Sequence, residues 1–296
     1  MITASAPAAP SRELVSSFLR DRVALSALVV LGAIVLAAIL ASLISPQNPY
    51  NLAELDILDG KLPPGGKSVD GHTYWLGTDD QGRDMFSAIL YGLRISLGVG
   101  VVSTVVALTL GLLVGLAAGY AGGWVDALIM RIVDLQLSFP SILIALVLLA
   151  VLGQGVDKIV IALVVVQWAY YARTVRSTAL VEKRREYVDA ALCLGYSKWR
   201  ILYRHILPNC LPPLIVVATV QIAHAIALEA TLSFLGLGVP ITSPSLGLLI
   251  ANGYAHLLSG RYWISFFPGV ALLVTIVVIN LVGDHLRDAL NPRLNS

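Results

Sequence analysis

Charged residues are scarce in this sequence. Only 13% of its 296 residues are Asp, Glu, Lys or Arg, whereas 57% are apolar. Ordinary soluble domains contain about 25% charged and about 45–50% apolar residues, so this composition argues against a typical soluble enzyme and against a disordered chain. A formal net charge of +2 is too small for a nucleic-acid-binding domain, and no nucleic-acid partner is expected. The composition is that of a membrane protein.

The sequence also lacks the motifs that support catalysis. Its two cysteines, Cys193 and Cys210, show neither the spacing of metal ligands nor a disulfide framework. There is no His-Glu-x-x-His, Gly-x-Ser-x-Gly or glycine-rich dinucleotide motif. Gly66-Lys67-Ser68 resembles the end of a phosphate-binding P-loop, but Lys61 stands where that motif requires glycine. We therefore expect no catalytic residue, metal site or cofactor in this chain, and any ATP that drives it must be bound by another polypeptide.

Long uncharged runs predict membrane-spanning helices, each of which needs roughly 20 mainly apolar residues. Turn-forming residues divide these runs into six predicted spans, at about 23–45, 95–119, 127–152, 157–174, 210–236 and 263–284. The fourth span has the shortest uncharged run and requires Lys158 and Arg173 to extend to opposite membrane interfaces. The predicted fold class is an all-α membrane protein with six transmembrane helices.

The distribution of Lys and Arg predicts the orientation. If the N-terminus is cytoplasmic, 14 of the 20 basic residues lie on the cytoplasmic side, as the positive-inside rule requires. Both termini are then cytoplasmic, in tails 1–22 and 285–296, and the external loop 46–93 connects the first helix, 23–45, to a five-helix core, 94–284. A cleaved signal peptide is the alternative for the first span, but its apolar run exceeds the usual h-region of about 7–15 residues.

The external loop is long and rich in turn-forming residues. It ends in Leu76–Asp84, where Thr78 and Gln81 match a capping box. This motif predicts a short helix along the membrane surface before the second span. Three aspartates in the same stretch could suggest a calcium site, but they lack the alternate acidic positions and the closing glutamate of an EF-hand loop. Helix capping is therefore the favoured interpretation.

The cytoplasmic segment 174–208 is amphipathic and basic. Gly195 follows an apolar helical stripe and predicts the end of one helix, Ser197 predicts the cap of a second, and Pro208 predicts its end. The resulting helical hairpin has three interpretations: attraction to anionic lipid, a DNA-binding helix-turn-helix, or a docking site for a protein partner. DNA binding is the least favoured, because membrane spans flank the hairpin closely and leave little room for a duplex.

Small and charged residues within the predicted spans indicate contacts between helices. Gly111, Gly115 and Gly119 repeat every four residues and predict close packing against another helix. Arg131 and Asp134 lie three positions apart on one helical face, so each could neutralise the other.

Gln221, His224 and Glu229 are candidates for the lining of a translocation path. They fall within about 140° of the fifth span when successive residues advance by about 100°. Polar groups inside a membrane normally face a water-filled path or a polar partner. Hydrogen bonding to neighbouring helices is therefore the alternative interpretation.

Four stretches of this sequence resemble one transporter family. Asp189-Ala190-Ala191, followed after three residues by Gly195 and after nine more by His205-Ile206-Leu207-Pro208, resembles the cytoplasmic Glu-Ala-Ala loop of the membrane subunits of binding-protein-dependent ABC importers. The other three stretches are similar to the second permease subunit of dipeptide and oligopeptide importers: Leu76–Asp84, Ser233–Gly238 and Gly283–Arg293. The resemblance covers nearly the whole chain after the N-terminal tail.

This resemblance implies the architecture of a type I ABC importer permease in the bacterial inner membrane. The chain would assemble with a homologous permease, two cytoplasmic ATPase subunits that bind ATP and Mg²⁺, an external solute-binding protein and membrane lipid. The hairpin would dock on the ATPases through Arg185, Glu186, Asp189, Ala190, Ala191, Gly195 and Tyr196. The external loop would contribute gating residues, namely Thr78, Asp79, Gly82, Arg83 and Asp84. Asp189 replaces the usual glutamate, which shortens that side chain by one methylene.

The implied cargo is a dipeptide or an oligopeptide. A nickel or metal-chelate importer is the alternative within the same class, because its permeases closely resemble the peptide ones. The five histidines include no i,i+3 or i,i+4 pair that would preform a metal site. An intramembrane hydrolase, with His224 and Glu229 as catalytic residues, is a distant alternative because no serine or cysteine nucleophile motif is present.

The charge distribution gives a test of topology. Single cysteines at Ser68 and Ser197, in a background without Cys193 and Cys210, should react from opposite sides of the membrane, because they lie in the external loop and in the cytoplasmic hairpin. An impermeant thiol reagent applied from outside should label the Ser68→Cys variant alone. Labelling of both variants would contradict the six-span arrangement.

Overall fold

The computed structural model describes residues 21–51, 55–68 and 71–290. The helices are α1 (Arg22–Ile39), α2 (Ala41–Ile44), α3 (Met85–Ala121), α4 (Gly123–Leu137), α5 (Ser141–Leu152), α6 (Val156–Glu182), α7 (Glu186–Cys193), α8 (Lys198–Ile201), α9 (Leu207–Phe234), α10 (Leu246–Tyr254) and α11 (Trp263–Leu290). A π-helical turn spans Leu202–Ile206, and 3₁₀ turns span Ile57–Asp59 and Leu257–Ser259. Strands β1 (Gly66–Lys67) and β2 (Thr73–Tyr74) pair antiparallel. Residues 1–20 and 291–296 of the predicted tails lie outside the described residues.

Five helical runs are long and apolar enough to cross a membrane: α1, α3, α6, Lys198–Phe234 and α11. The sixth candidate is the pair α4 and α5, which meet at an angle of 88°. The count agrees with the six predicted spans if this pair is one span. Within the predicted span 127–152 the helix is broken, because Pro140 stands immediately before α5 and has no N–H to continue the hydrogen bonds of α4.

Helix α3 corrects the prediction for the end of the external loop. It runs without a break from its first residue, and Asp84 caps it by accepting a hydrogen bond from the Ser87 N–H at 2.8 Å. The Thr78 hydroxyl instead donates to the Asp59 carbonyl oxygen at 2.6 Å. The predicted capping box of Thr78 and Gln81 and the separate surface helix are therefore wrong. The N-cap of α3 is Asp84, the acidic residue immediately before its first turn.

The predicted helical hairpin is confirmed at its centre and corrected at both ends. α7 and α8 are separated by Gly195, whose φ of +73° is left-handed. α6 continues to Glu182, so the first part of the predicted hairpin belongs to the fourth span. Pro208 does not end a helix, because the π-helical turn joins α8 to α9 with the Leu207 N–H bonded to the Leu202 carbonyl oxygen. Pro208 lies in the first turn of α9, where a missing N–H costs little.

Helices α3 and α6 make the most extensive helix–helix contact among the described residues. A Cβ atom at Gly111 would lie 2.4 Å from the Tyr171 Cβ, and one at Gly115 would lie 2.5 Å from the Ala172 carbonyl oxygen. Tyr171 and Ala172 are fully buried. The predicted packing role of the glycine stripe is confirmed, because any side chain on this face would push the two helices apart.

Two ion pairs join α4 to α6. Arg176 forms a bidentate pair with Asp126, with nitrogen–oxygen distances of 2.6 and 2.7 Å. Asp134 pairs with Arg173 of α6. The predicted neutralisation of Asp134 by Arg131 is therefore wrong. The local spacing rule fails here because a guanidinium on the adjacent helix provides a closer partner.

The glycine stripe generates a prediction with a matched control on the same helix. Gly111→Ala should destabilise the protein, because its Cβ atom would overlap with Tyr171 and overpacking costs about 1–3 kcal/mol. Gly98→Ala should be neutral or stabilising, because a Cβ atom at Gly98 would meet no other atom within 4 Å and alanine favours the helix by about 1 kcal/mol. The measurement is the Tm of each purified variant. Equal Tm values for the two would contradict the packing role.

Candidate functional site

The hairpin segment, Arg185–Tyr196, forms a short helix closed by a glycine turn. At the end of α7, the Gly195 N–H donates to the Leu192 carbonyl oxygen at 3.0 Å, and the Tyr196 N–H donates to the Ala191 carbonyl oxygen at 3.1 Å. These two bonds make a Schellman motif, which requires the left-handed conformation of Gly195. A residue with a Cβ atom adopts that conformation at a cost of roughly 1–2 kcal/mol.

One face of α7 packs on the protein and the other is open. Val188 and Ala191 are buried in a core cluster that also contains residues of α3, α6 and α9. The exposed face carries charged, small and apolar residues: Glu186, Asp189, Ala190, Leu192 and Leu194. Ala191, predicted to face a partner, therefore packs against the protein's own core. The open face combines carboxylates with apolar surface, which is typical of a docking site for a protein.

Tyr187 holds α7 against two neighbouring helices. Its hydroxyl donates to the Glu182 carboxylate at the end of α6 and accepts from the Asn209 amide of α9 at 3.1 Å. Burial, followed by the hydrogen bond to Glu182, raises the pKa of Tyr187 to about 12, so the hydroxyl remains protonated and continues to donate. Arg185 adds an ion pair to Glu182 at 3.8 Å. These contacts attach α7 to both α6 and α9.

Tyr196, another predicted docking residue, contacts its own chain. The Arg200 guanidinium lies 4.4 Å from the centroid of the Tyr196 ring, and the His205 ring stacks on Tyr196 with centroids 6.3 Å apart. The ring is half-buried. Tyr196 therefore fixes the turn after Gly195 against the following helical run.

A cavity of about 560 Å³ opens between α6, α9 and α11. Its walls include Tyr170 of α6, Gln221 of α9, and Asp284 and Arg287 of α11. Gln221, one of the three predicted path residues, thus lines the cavity. His224 is exposed on the surface of the single chain.

Glu229 is enclosed by hydroxyl groups. It is fully buried, and its two carboxylate oxygens accept hydrogen bonds from Ser96 of α3 at 2.8 Å and from Ser233 at 2.7 Å. Ser245, the N-cap of α10, interacts with the same carboxylate. In this structure Glu229 therefore makes contacts between helices, as the alternative interpretation anticipated, and has no surface on a path.

The segment predicted to be external, residues 56–68 and 71–84, is here called the external cap and is a compact structure at the opposite end of the bundle from α7. Asp59 is buried and accepts a hydrogen bond from the Tyr74 hydroxyl at 2.9 Å. The indole N–H of Trp263 donates to the Thr78 carbonyl oxygen at 3.1 Å. Gly82 has φ of +77°, and a Cβ atom there would lie 2.0 Å from the Asp56 carbonyl oxygen. The cap is therefore closely folded and attached to α11.

A buried ion pair joins the cap to the loop before α10. Arg83 and Asp79 are fully buried, with 3.7 Å between the Arg83 Nε and the Asp79 Oδ2, and an Arg83 Nη donates to the Ile241 carbonyl oxygen at 2.8 Å. Asp79 also accepts hydrogen bonds from the Gln81 and Arg83 N–H groups, both at 2.9 Å. Burial raises the pKa of Asp79, and Arg83 opposes that shift. Burial likewise lowers the pKa of Arg83.

All five residues assigned to gating are buried: Thr78, Asp79, Gly82, Arg83 and Asp84. They hold the cap together and place none of their side chains on an open passage. Their partners are Asp59, Ile241 and Trp263, which carry no local sequence signal because these contacts join segments that are distant in the sequence. The part of the chain that the structure describes contains no group of three or more His, Cys, Asp or Glu that could hold a metal ion.

Comparison with known proteins gives two family matches for this chain. Residues 111–296 match the family described as binding-protein-dependent transport system inner membrane component. Residues 10–64 match the family described as N-terminal TM domain of oligopeptide transport permease C. The chain is 42% identical over 294 residues to the dipeptide transport system permease protein DppC of Escherichia coli strain K12, with 99% of this chain and 97% of the relative covered.

Two further similarities extend the comparison. The glutathione transport system permease protein GsiD of Pectobacterium atrosepticum is 37% identical over 287 residues, with 97% of this chain and 92% of the relative covered. An inward-facing structure of the MetNI methionine ABC transporter aligns with a TM-score of 0.57 at 21% identity, over 69% of this chain and 96% of that chain. The second likeness concerns the fold alone.

The external cap generates a prediction about charge. Arg83→Met leaves the Asp79 carboxylate buried without its counter-ion, which typically costs about 3–5 kcal/mol. The cap should open more often, and an external protease should cleave it at least about tenfold faster. The double variant with Asp79→Asn should recover much of the protection, because no uncompensated charge then remains.

The same variant has a defined pH dependence. Arg83 lowers the pKa of Asp79, so removing Arg83 raises that pKa further above its ordinary value. A raised pKa means that the folded cap binds a proton more tightly than the open form, and its stability is lost as the pH rises through that pKa. Cleavage of Arg83→Met should therefore slow when the pH is lowered from about 7 to about 5. Cleavage that is equally fast at both pH values, or in the double variant, would contradict the buried-pair account.

Proposed function

Since the chain belongs to the family of binding-protein-dependent transport system inner membrane components, we propose that it is a permease subunit of an ABC importer for dipeptides or oligopeptides. The observation that carries this proposal is the open face of α7, which ends in the Schellman turn at Gly195 and is attached to two spans by Tyr187. A short helix that is exposed on one face and fixed to two spans can transmit the movement of a bound partner to the bundle.

The coupling role is assigned to the exposed residues of the hairpin segment. Glu186, Asp189 and Ala190 would contact a cytoplasmic ATPase subunit, and Gly195 would permit a close approach because no side chain projects there. Ala191 and Tyr196 would support this surface from within. ATP and Mg²⁺ would bind to two separate ATPase subunits, since the sequence provides no nucleotide motif. Closure of the ATPases would then shift the bundle between two states.

The remaining partners follow from the same family. We place the chain in the bacterial inner membrane with both termini cytoplasmic, beside a homologous permease and beneath an external solute-binding protein. The external cap would lie on the side of the solute-binding protein. Its buried pair, Asp79 and Arg83, would transmit a load from the cap to the loop that precedes α10, because Arg83 bonds to Ile241 in that loop.

The cavity between α6, α9 and α11 is the proposed cytoplasmic part of the path. It holds Gln221, Asp284 and Arg287, so its wall offers an amide and charges of both signs in a largely apolar surface. Glu229 would act differently, as a fixed contact that keeps α9 in register with α3. His224 would face a path only after a second permease covers its surface.

The relatives' names favour a peptide cargo. One is called a dipeptide permease and another a glutathione permease, and glutathione is itself a small peptide.

Gly195→Glu tests the coupling role. The variant should remain in the membrane, because Gly195 is exposed and lies outside the apolar spans. Uptake of a labelled dipeptide should fall by about tenfold or more, as expected when a side chain enters the centre of a docking interface. The ATPase subunits should also be lost during purification of the complex.

Two controls separate docking from backbone strain. Gly195→Asn tolerates the left-handed conformation and should retain most of the uptake. Gly65→Glu introduces the same side chain at a glycine with φ of +79° and open surroundings in the external cap, and it should leave ATPase binding unchanged. Normal uptake with normally bound ATPase in Gly195→Glu would overturn the coupling role.

A further inference from the structure

A second cavity, the cytoplasmic groove, lies between the end of α3 and the helical run that contains α8. Its volume is about 500 Å³. Leu116 and Leu202 form its buried floor, while Leu113, Trp199 and Tyr203 form exposed walls. The groove is distinct from the cavity that holds Gln221, because the two share no lining residue. It is open to the surroundings of the bundle.

The groove has an apolar part and a basic rim. The apolar part follows α3 from Leu112 to Ala121, within a helix long enough to span a membrane. Lys198, an exposed residue, lines the other end. In the described part of the chain, no carboxylate lies within ion-pair distance of Lys198. A cation beside an apolar groove of this kind fits a ligand with an anionic head and a hydrocarbon tail.

Aromatic side chains indicate the depth at which the basic rim lies in the membrane. Trp199 and Tyr203 are 68% and 57% exposed, and their rings stack with centroids 5.9 Å apart. Tyr120 lines the same groove, and its hydroxyl donates to the Lys198 carbonyl oxygen at 3.2 Å. Exposed Trp and Tyr are enriched where a membrane protein passes from hydrocarbon to head groups. The basic rim therefore lies at head-group depth, with the apolar part extending into the hydrocarbon.

We propose that the cytoplasmic groove binds one anionic phospholipid of the cytoplasmic leaflet. An acyl chain would lie along Leu113, Leu116 and Ala117, and the phosphate would lie at Lys198, with Arg200 and Arg204 adding positive charge nearby in the chain. A water-soluble ATPase subunit does not fit, because the groove continues along a membrane-spanning helix. The cytoplasmic leaflet is the anionic membrane surface that attracts basic residues, so an anionic head group is expected at Lys198.

The location gives the lipid a physical consequence. It would bridge α3 and the run from α8 into α9, which are joined here by the Tyr120 hydrogen bond. The inference rests on the cytoplasmic orientation of the proposed function but not on its cargo. A variant can therefore lose the bound lipid and still take up peptide, and another can keep the lipid and lose peptide uptake.

The test is native mass spectrometry of the intact importer, purified from membranes that contain phosphatidylglycerol and phosphatidylethanolamine. The parent complex should retain phosphatidylglycerol in preference to phosphatidylethanolamine. Lys198→Gln should lower the retained phosphatidylglycerol several-fold, and Ala117→Trp should lower it further by filling the groove from an exposed position. Uptake of a labelled dipeptide by the same preparations verifies that each complex is assembled.

Matched controls are available elsewhere in the chain. Lys67→Gln removes an exposed lysine from the external cap, and Val105→Trp adds an indole at an exposed position of α3 outside the groove. Both variants should retain phosphatidylglycerol like the parent. Equal retention in the Lys198 and Lys67 variants would overturn the proposal. A photo-crosslinker at Ala117 should capture lipid, and capture of the second permease would also overturn the proposal.

Discussion

The close contact between α3 and α6 is the constraint on which the remaining architecture depends. In a bilayer, apolar side chains gain little by leaving lipid, so helices associate through close packing and polar contacts. Gly111 and Gly115 bring the α3 backbone against Tyr171 and Ala172. α9 therefore packs on the surface that α3 and α6 form together, and α10 and α11 pack in turn on α9.

Polar contacts then fix the relative positions of these helices. The Glu229 carboxylate bonds to Ser96 across the α3–α9 contact, and the Arg83 guanidinium bonds to Ile241 between the external cap and the loop before α10. A buried charge without such partners is strongly destabilising, so a slip of one helix along another is penalised by more than the lost packing. The buried polar groups therefore define one arrangement out of the several that smooth apolar helices would permit.

Local signals predicted much of the fold. The long uncharged runs predicted the spans, the glycine stripe predicted the α3 surface, and Gly195 predicted the turn after α7. The failures have a common physical cause, which is dependence on distant partners: Arg83 bonds to a residue 158 positions away, and Trp263 bonds to one 185 positions away. The short helix α10 was missed although Ser245 is its N-cap, because its nine residues are too few to span a membrane. The residues proposed for gating were found by resemblance, but their buried roles required the structure.

A helical run begins directly after the hairpin segment and continues into the membrane-spanning part of the bundle. The run Lys198–Phe234 contains 37 residues, which at about 1.5 Å per residue is about 55 Å of helix. Tyr187 bonds to both α6 and α9, so a displacement of α7 acts on both helices together. At the far end of α9, Glu229 is held to α3. If α7 is the coupling element proposed above, a displacement that enters there would be opposed at Glu229, and the part of α9 between the two would have to move. Gln221, which lines the cavity, lies in that part of α9.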